Sequence, residues 1–175
     1  MQENIQIIIL SPQRWQESKA LRIQALSDAP VAFGMSMEEE PARTDESWQE
    51  RLAEAVEGEY RWAVFLEHNG KLVGTAGAYR EKLLKVRHTA YIVGVYLLPE
   101  YRGRGLAKHM MEGLLEKVKT NKEINRLELQ VTSTEASAIR LYESLGFVRV
   151  GVLHKEMFVD GAYYDQIIME KFLYE

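Results

Sequence analysis

The hydrophobic pattern changes period once between Thr89 and Thr120, and the rest of the chain can be placed around that change. Val93, Val95 and Leu97 belong to an almost wholly apolar run, which predicts a buried strand. Pro99 ends it, because proline has no backbone donor for a ladder. Leu106, Met110, Gly113, Leu114 and Val118 then recur at helical spacing, predicting a helix to about Thr120. Between strand and helix lies Arg102-Gly-Arg-Gly-Leu-Ala107.

The same reading assigns the flanking elements. Ile5 to Leu10 is a first strand, and Ser11-Pro12 opens a helix that carries Trp15, Ala20, Leu21, Ile23, Ala25 and Leu26. Val31 to Arg43 shows no clean period, and its acidic run Glu38-Glu39-Glu40 suits a solvated turn. A second helix starts at Thr44, holds Trp48, Leu52 and Val56 inward, and closes at Gly58. Arg61–His68 and Lys71 to about Leu84 form a hairpin about Asn69-Gly70, with Gly74 and Gly77 as bulge candidates. Arg126 to Val131 alternates in period two, so one face is wet or functional. Thr132-Ser-Thr-Glu135 has the spacing of a capping box for a helix from Ala136 to Leu145. Two closing strands, Phe147 to Phe158 and Tyr163 to Leu173, flank the Asp160-Gly161 turn. Trp15, Trp48 and Trp62 fall at core positions. One mixed domain over 1–175 is expected, without repeats or linkers.

The loop after the central strand carries the first chemical signal. Gly103 and Gly105 let the backbone aim its N–H groups into one space, and the helix start adds unpaired N–H groups and about half a positive charge. Such a loop suits phosphate. It is not a Walker loop, since Leu106 and Ala107 follow Gly105 where Lys-Ser/Thr is needed. Nor is it a dinucleotide fingerprint, because Lys108 takes the sixth position from Gly103.

Composition narrows the field a little. A net charge of −4 argues against a general nucleic-acid binder. There is no cysteine, which excludes disulfides, thiolate metal sites and an acetyl-cysteine intermediate. Four scattered histidines do not make a metal site, so no metal is expected. The first residues lack a basic leader, and Ile5–Leu10 is too short to span a membrane, which makes the cytoplasm the default.

Two separate stretches carry a family resemblance. Arg-x-x-Gly-x-Ala, after a strand ending Val-Tyr-Leu-x-Pro-Glu-Tyr, resembles the GNAT superfamily of acetyl-coenzyme A-dependent N-acetyltransferases. Ala-Ile-x-Leu-Tyr142-x-x-Leu-Gly-Phe147 resembles that family's motif after the fifth strand, in the family's order and separation. The likeness is strongest from Lys71 onward. It implies an α/β (α+β) fold with a mixed, mostly antiparallel seven-stranded sheet, helices on both faces, and a splay between strands four and five. Pantetheine would lie in the splay against Val95, Tyr96 and Leu97. Arg102, Gly103, Arg104, Gly105, Leu106 and Ala107 would hold the pyrophosphate of acetyl-coenzyme A.

Attack of an amine on a thioester develops an oxyanion and expels a thiolate. By the resemblance, a backbone N–H near Tyr96 or Leu97 would stabilise the first, and the Tyr142 phenol would protonate the second. From ordinary values of about 10 for tyrosine and about 8.5 for a thiol, that proton transfer is uphill by about 2 kcal/mol. The base stays open. The strand-four glutamate of some family members is absent at Tyr91-Ile92-Val93, leaving His88 or Glu128 through water. Glu135 stands where relatives commonly carry asparagine, and its capping-box position accounts for it. Phe33, Met35 and Tyr163 are candidates for the acceptor side, where aromatic and thioether surface and nearby carboxylates suit a small primary amine, either a polyamine-like compound or an amino acid or its analogue. No cluster of arginines for an acidic acceptor is visible along the chain. A homodimer is compatible with the sequence. A protein N-terminal acetyltransferase and a non-catalytic coenzyme A sensor are the alternatives, and acceptor-dependent turnover separates the sensor from the enzyme.

Overall fold

The computed structural model describes residues 4–40 and 42–174. Seven strands form one sheet in the order β1-β2-β3-β4-β5-β7-β6. They are β1 (Ile5–Ile8), β2 (Arg61–His68), β3 (Lys71–Arg80), β4 (Thr89–Leu97), β5 (Arg126–Thr132), β6 (Val148–Val159) and β7 (Ala162–Phe172). The helices are α1 (Trp15–Asp28), α2 (Asp45–Glu57), α3 (Leu106–Lys119) and α4 (Ala136–Ser144). Every pairing is antiparallel except β4 with β5.

Helices cover both faces, and β3 shows how. A Cβ at Gly74 would meet Met110 of α3, while Thr75 and Gly77 line a cavity with Ser18 of α1 and Leu52 of α2. Neighbouring strand residues point to opposite faces, so α3 lies on one side and α1 with α2 on the other. Met110, Met111, Leu114 and Val118 present the buried stripe of α3, as their spacing predicts. Trp48 and Trp62 are core residues, and Trp15 packs partly buried against that core.

Several boundaries differ from the expectation. β1 stops at Ile8, although Leu10 is fully buried beyond it. β3 stops at Arg80, whose guanidinium turns inward to Glu123 (2.7 Å) and the Arg87 carbonyl (3.2 Å), leaving Leu83 and Leu84 in an exposed turn. In α2 the inward residues are Trp48, Leu52 and Ala55, and Val56 is exposed. A spacing of four overshoots the 3.6-residue turn, so the second step falls off the buried stripe. The capping box does not form. Thr132 is the last residue of β5, and its hydroxyl donates to the Val31 carbonyl and accepts from Gln166 Nε2 at 2.9 Å. Glu135 is the N-cap of α4 but makes no capping bond with its side chain.

The irregularity that shapes the site lies in β4. Val93 pairs with Gly77 and Tyr96 with Thr75, so β4 carries one residue more than β3 across this step. Gly94 takes φ +64° in this bulge, a left-handed conformation that a residue with a Cβ adopts at a cost. The parallel pairing of β4 with β5 covers only Thr89–Arg126, Ala90–Leu127 and Tyr91–Glu128. Beyond Tyr91 the two strands have no ladder between them, and a wedge opens.

Candidate active site

The wedge is a cavity of about 370 Å³. Val95, Tyr96 and Leu97 of β4 line it, with Gln130, Val131 and Thr132 of β5 opposite. Arg102, Gly103, Gly105, Leu106 and Ala107 line its mouth, and Tyr142 of α4 borders it. Arg104 of the same loop is exposed and is not part of this lining.

The mouth is suited to a diphosphate. Gly103 and Gly105 take φ +74° and +77°, and a Cβ built on either would meet nothing within 4 Å, so the turn leaves open space in front of its backbone. Gly105 is the N-cap of α3 and provides no side-chain cap. The first helical bond at this end runs from His109 N–H to the Gly105 carbonyl, which leaves the N–H groups of Leu106, Ala107 and Lys108 for an anion. Arg102 does not reach freely into that space. Its Nε donates to the Leu97 carbonyl at 2.9 Å, and its guanidinium lies 5.8 Å from the Tyr96 ring centroid. The Leu97 carbonyl is therefore already engaged.

Two ties hold the wedge open at its far side. The buried Tyr96 hydroxyl donates to the Asp28 carboxylate at the end of α1, and burial with this bond pushes its pKa well above the ordinary phenol value. The Thr132–Val31 bond anchors the start of the α1–α2 connection to β5. Asp28 carried no sequence signal, since its partner is 68 residues away.

Tyr142 is buried, packs edge-on against Phe147 at 6.1 Å, and hydrogen-bonds to no protein group among the described residues. Burial, reinforced by the charge of Glu135, pushes its pKa well above the ordinary value. The phenol keeps its proton at neutral pH and has it free to donate.

A second cavity, of about 930 Å³, adjoins the first and shares Phe33, Ile92, Val93, Gly94 and Gln130 with it. Met35, Glu128 and the stacked pair Tyr79–Tyr91, with centroids 5.3 Å apart, also line it. Tyr163 does not. It is exposed and packs on Phe158 at 4.8 Å in the closing hairpin, away from this lining. His88 is exposed and borders neither cavity, whereas Glu128 faces the second one and accepts from Arg126 Nη2 at 2.8 Å. Among the described residues no group of His, Asp and Glu could hold a metal ion.

The arginine content of this wall was invisible in the sequence. Arg22, Arg43, Arg51 and Arg61 come from α1, the α1–α2 connection, α2 and β2, and all four line the second cavity. Glu40 gathers three of them. It is 2% exposed and accepts from Arg43 Nε at 2.9 Å and Arg22 Nη2 at 3.3 Å, with Arg51 Nη1 at 3.6 Å. The acidic run is thus divided: Glu38 and Glu39 cap a surface turn on Ser36, and Glu40 is an interior ion-pair partner.

The acetyltransferase (GNAT) family model matches residues 24–147. The chain belongs to the GNAT acetyltransferase family. Among its relatives, spermidine N(1)-acetyltransferase of Vibrio cholerae is 31% identical over 83 residues, covering 45% of this chain and 48% of that protein. The [ribosomal protein bS18]-alanine N-acetyltransferase of Escherichia coli is 31% identical over 100 residues, 57% of this chain and 64% of that protein. The matched segment is thus about half to two thirds of the length of these relatives. The GNAT-family acetyltransferase of Streptococcus pneumoniae has the same fold, with TM-score 0.88 at 20% identity over 97% of this chain and all of that one. In this GNAT chain the family match ends at Phe147, so it takes in the wedge, the α3 loop and Tyr142 but not the closing hairpin. No helix among the described residues is long and apolar enough to cross a membrane.

Proposed function

We propose that this GNAT protein transfers acetyl from acetyl-coenzyme A to a small primary amine by direct attack within a ternary complex. One observation carries the reading: the β4–β5 wedge runs from the uncapped start of α3 past an unpartnered phenol into a second cavity. The coenzyme's thioester supplies the activated acetyl group.

Backbone N–H groups of Gly103 to Lys108 bind the diphosphate, and the free edge of β4 from Ile92 to Leu97 aligns the pantetheine arm. A β4 N–H at the bulge or just beyond it opposes the negative charge that develops on the thioester oxygen. Tyr142 gives its proton to the departing sulfur as the C–S bond breaks and the C–N bond forms. Its raised pKa makes that transfer costlier than the about 2 kcal/mol of ordinary values, and ensures that the proton is present. An alkylammonium of pKa about 10.4 must first lose a proton, at a cost of roughly 4–5 kcal/mol at pH 7. Glu128 of β5, acting through water, is a carboxylate lining the second cavity that can receive it.

Aromatic and thioether lining at Phe33, Met35 and Met157, with carboxylates at Glu128 and Glu156, suits a small amine acceptor. Release of free coenzyme A that depends on added amine tests the function. Coenzyme release that no amine or peptide stimulates would leave a coenzyme-binding protein without transferase activity.

A further inference from the structure

The arginine wall poses a question of charge that the transfer reaction leaves unanswered. Three guanidinium groups, of Arg22, Arg43 and Arg51, surround one carboxylate, that of Glu40. A guanidinium carries five N–H donors, and a carboxylate offers about four acceptor sites, so Glu40 cannot satisfy all three. Arg22 shows the shortfall directly. Its guanidinium lies over the Phe33 ring at 4.5 Å, its Nη2 reaches Glu40, and its buried Nη1 has no partner. Arg51 shows it electrostatically, since burial and the charges of Arg61, Arg43 and Arg22 push its pKa down to about 10, against the opposing pull of Glu40. Arg61 is the exception, because Glu54 accepts from its Nε at 3.1 Å.

The surplus lies on one side of the cavity, where Arg22, Arg43, Arg51 and Arg61 meet the carboxylates of Glu40, Glu50 and Glu54. Glu128 and Glu156 lie on the other, on β5 and β6. Between them Val93 and Gly94 reach the wedge where the thioester would lie. A wall with spare guanidinium donors, facing carboxylates across a cavity, is complementary to a molecule with an anionic and a cationic end. A polyamine would place cations against both sides.

We propose that the acceptor is a zwitterion of the amino-acid class, whose carboxylate is held by Arg22, Arg43 and Arg51 while its amine faces Gly94. The proposal rests on reading the second cavity as the acceptor's. The apolar stretch between the two sides, with Phe33, Met35, Leu129 and Met157, takes an aliphatic or thioether side chain.

The test uses matched pairs: each of the common L-amino acids, its amide, and spermidine. Acetyl transfer is followed as coenzyme release, and binding by calorimetry with coenzyme A present. The amide keeps the α-amine and loses the anion. At least one amino acid should exceed its amide and spermidine by tenfold or more in kcat/KM. Arg51→Gln should erase that preference, lowering turnover of the free acid by tenfold or more relative to that of its amide. Arg43→Gln, in the α1–α2 connection rather than within a helix, should reduce the preference in the same direction and serves if Arg51→Gln does not fold. Amides or spermidine as good as the free acids, or a preference untouched by both variants, overturns the proposal. So does a protein that neither binds nor acetylates any free acid. Free acids that bind through Arg51 without being acetylated would sustain the carboxylate site and defeat the transferase reading instead.

Discussion

At the scale of single residues the account turns on a phenol and the carboxylate beside it. Tyr142→Phe removes one oxygen from a cavity wall and leaves the ring packed on Phe147. It should lower kcat by about 10²-fold while coenzyme affinity stays within a factor of two. An unchanged kcat, with chemistry limiting turnover, would reduce Tyr142 to packing. Burial and Glu135 hold the phenol's pKa above its ordinary value of about 10, so loss of the acid should cut kcat only above about pH 10. Glu135→Gln removes the part of that rise due to charge, and an alkaline limb set by Tyr142 should move to lower pH. A limb that stays in place would mean another group sets it. Glu135 looked like half of a capping box in the sequence. That reading failed because Thr132 spends its hydroxyl on Val31 and Gln166, contacts 101 and 34 residues away.

At the scale of elements, the bulge in β4 separates the wedge from an ordinary parallel pair. Gly94 stands at φ +64° with nothing within 4 Å of its Cβ direction, so Gly94→Ala changes backbone preference without adding a contact. The left-handed conformation then costs roughly 1–2 kcal/mol, which urea unfolding should report as a lower midpoint. Wild-type stability would show that the bulge relaxes freely. The central strand, loop and α3 were legible because one period gives way to another across Pro99 and two glycines. Gly74 was likewise legible, since β3 carries an extra residue beside it where Leu66 pairs with Gly74 and Glu67 with Leu72. The extra residue at Gly94 was not, because glycine in an apolar strand reads the same whether it bulges or pairs. The end of β3 was misread for a reason of charge: Arg80 satisfies Arg87 and Glu123 from inside, and periodicity has no term for that.

At the scale of the whole molecule, the two cavities meet at the splay, and each was legible to a different degree. The proposed coenzyme side is written in contiguous motifs, so the residues that line the wedge could be named in order along the chain. The proposed acceptor cavity is assembled from α1, the α1–α2 connection, α2, β2 and β5, and Arg22 and Arg61 come to line it together only once the chain has folded. A linear reading therefore named Phe33 and Met35, which line the second cavity, and Tyr163, which does not, and it named none of the arginines.

The central claim is that the loop from Arg102 to Ala107 grips the coenzyme at the start of α3, and a calorimetric titration of coenzyme A tests it most directly. Gly105→Asp places a carboxylate where N–H groups would meet a diphosphate, and Gly105→Asn places a neutral side chain of the same shape at the same φ of +77°. With both variants folded by circular dichroism, Gly105→Asp should bind coenzyme A more than tenfold weaker than wild type, a loss above about 1.4 kcal/mol, and Gly105→Asn should lose clearly less. Wild-type affinity in a folded Gly105→Asp protein would contradict the account and remove this loop from the site.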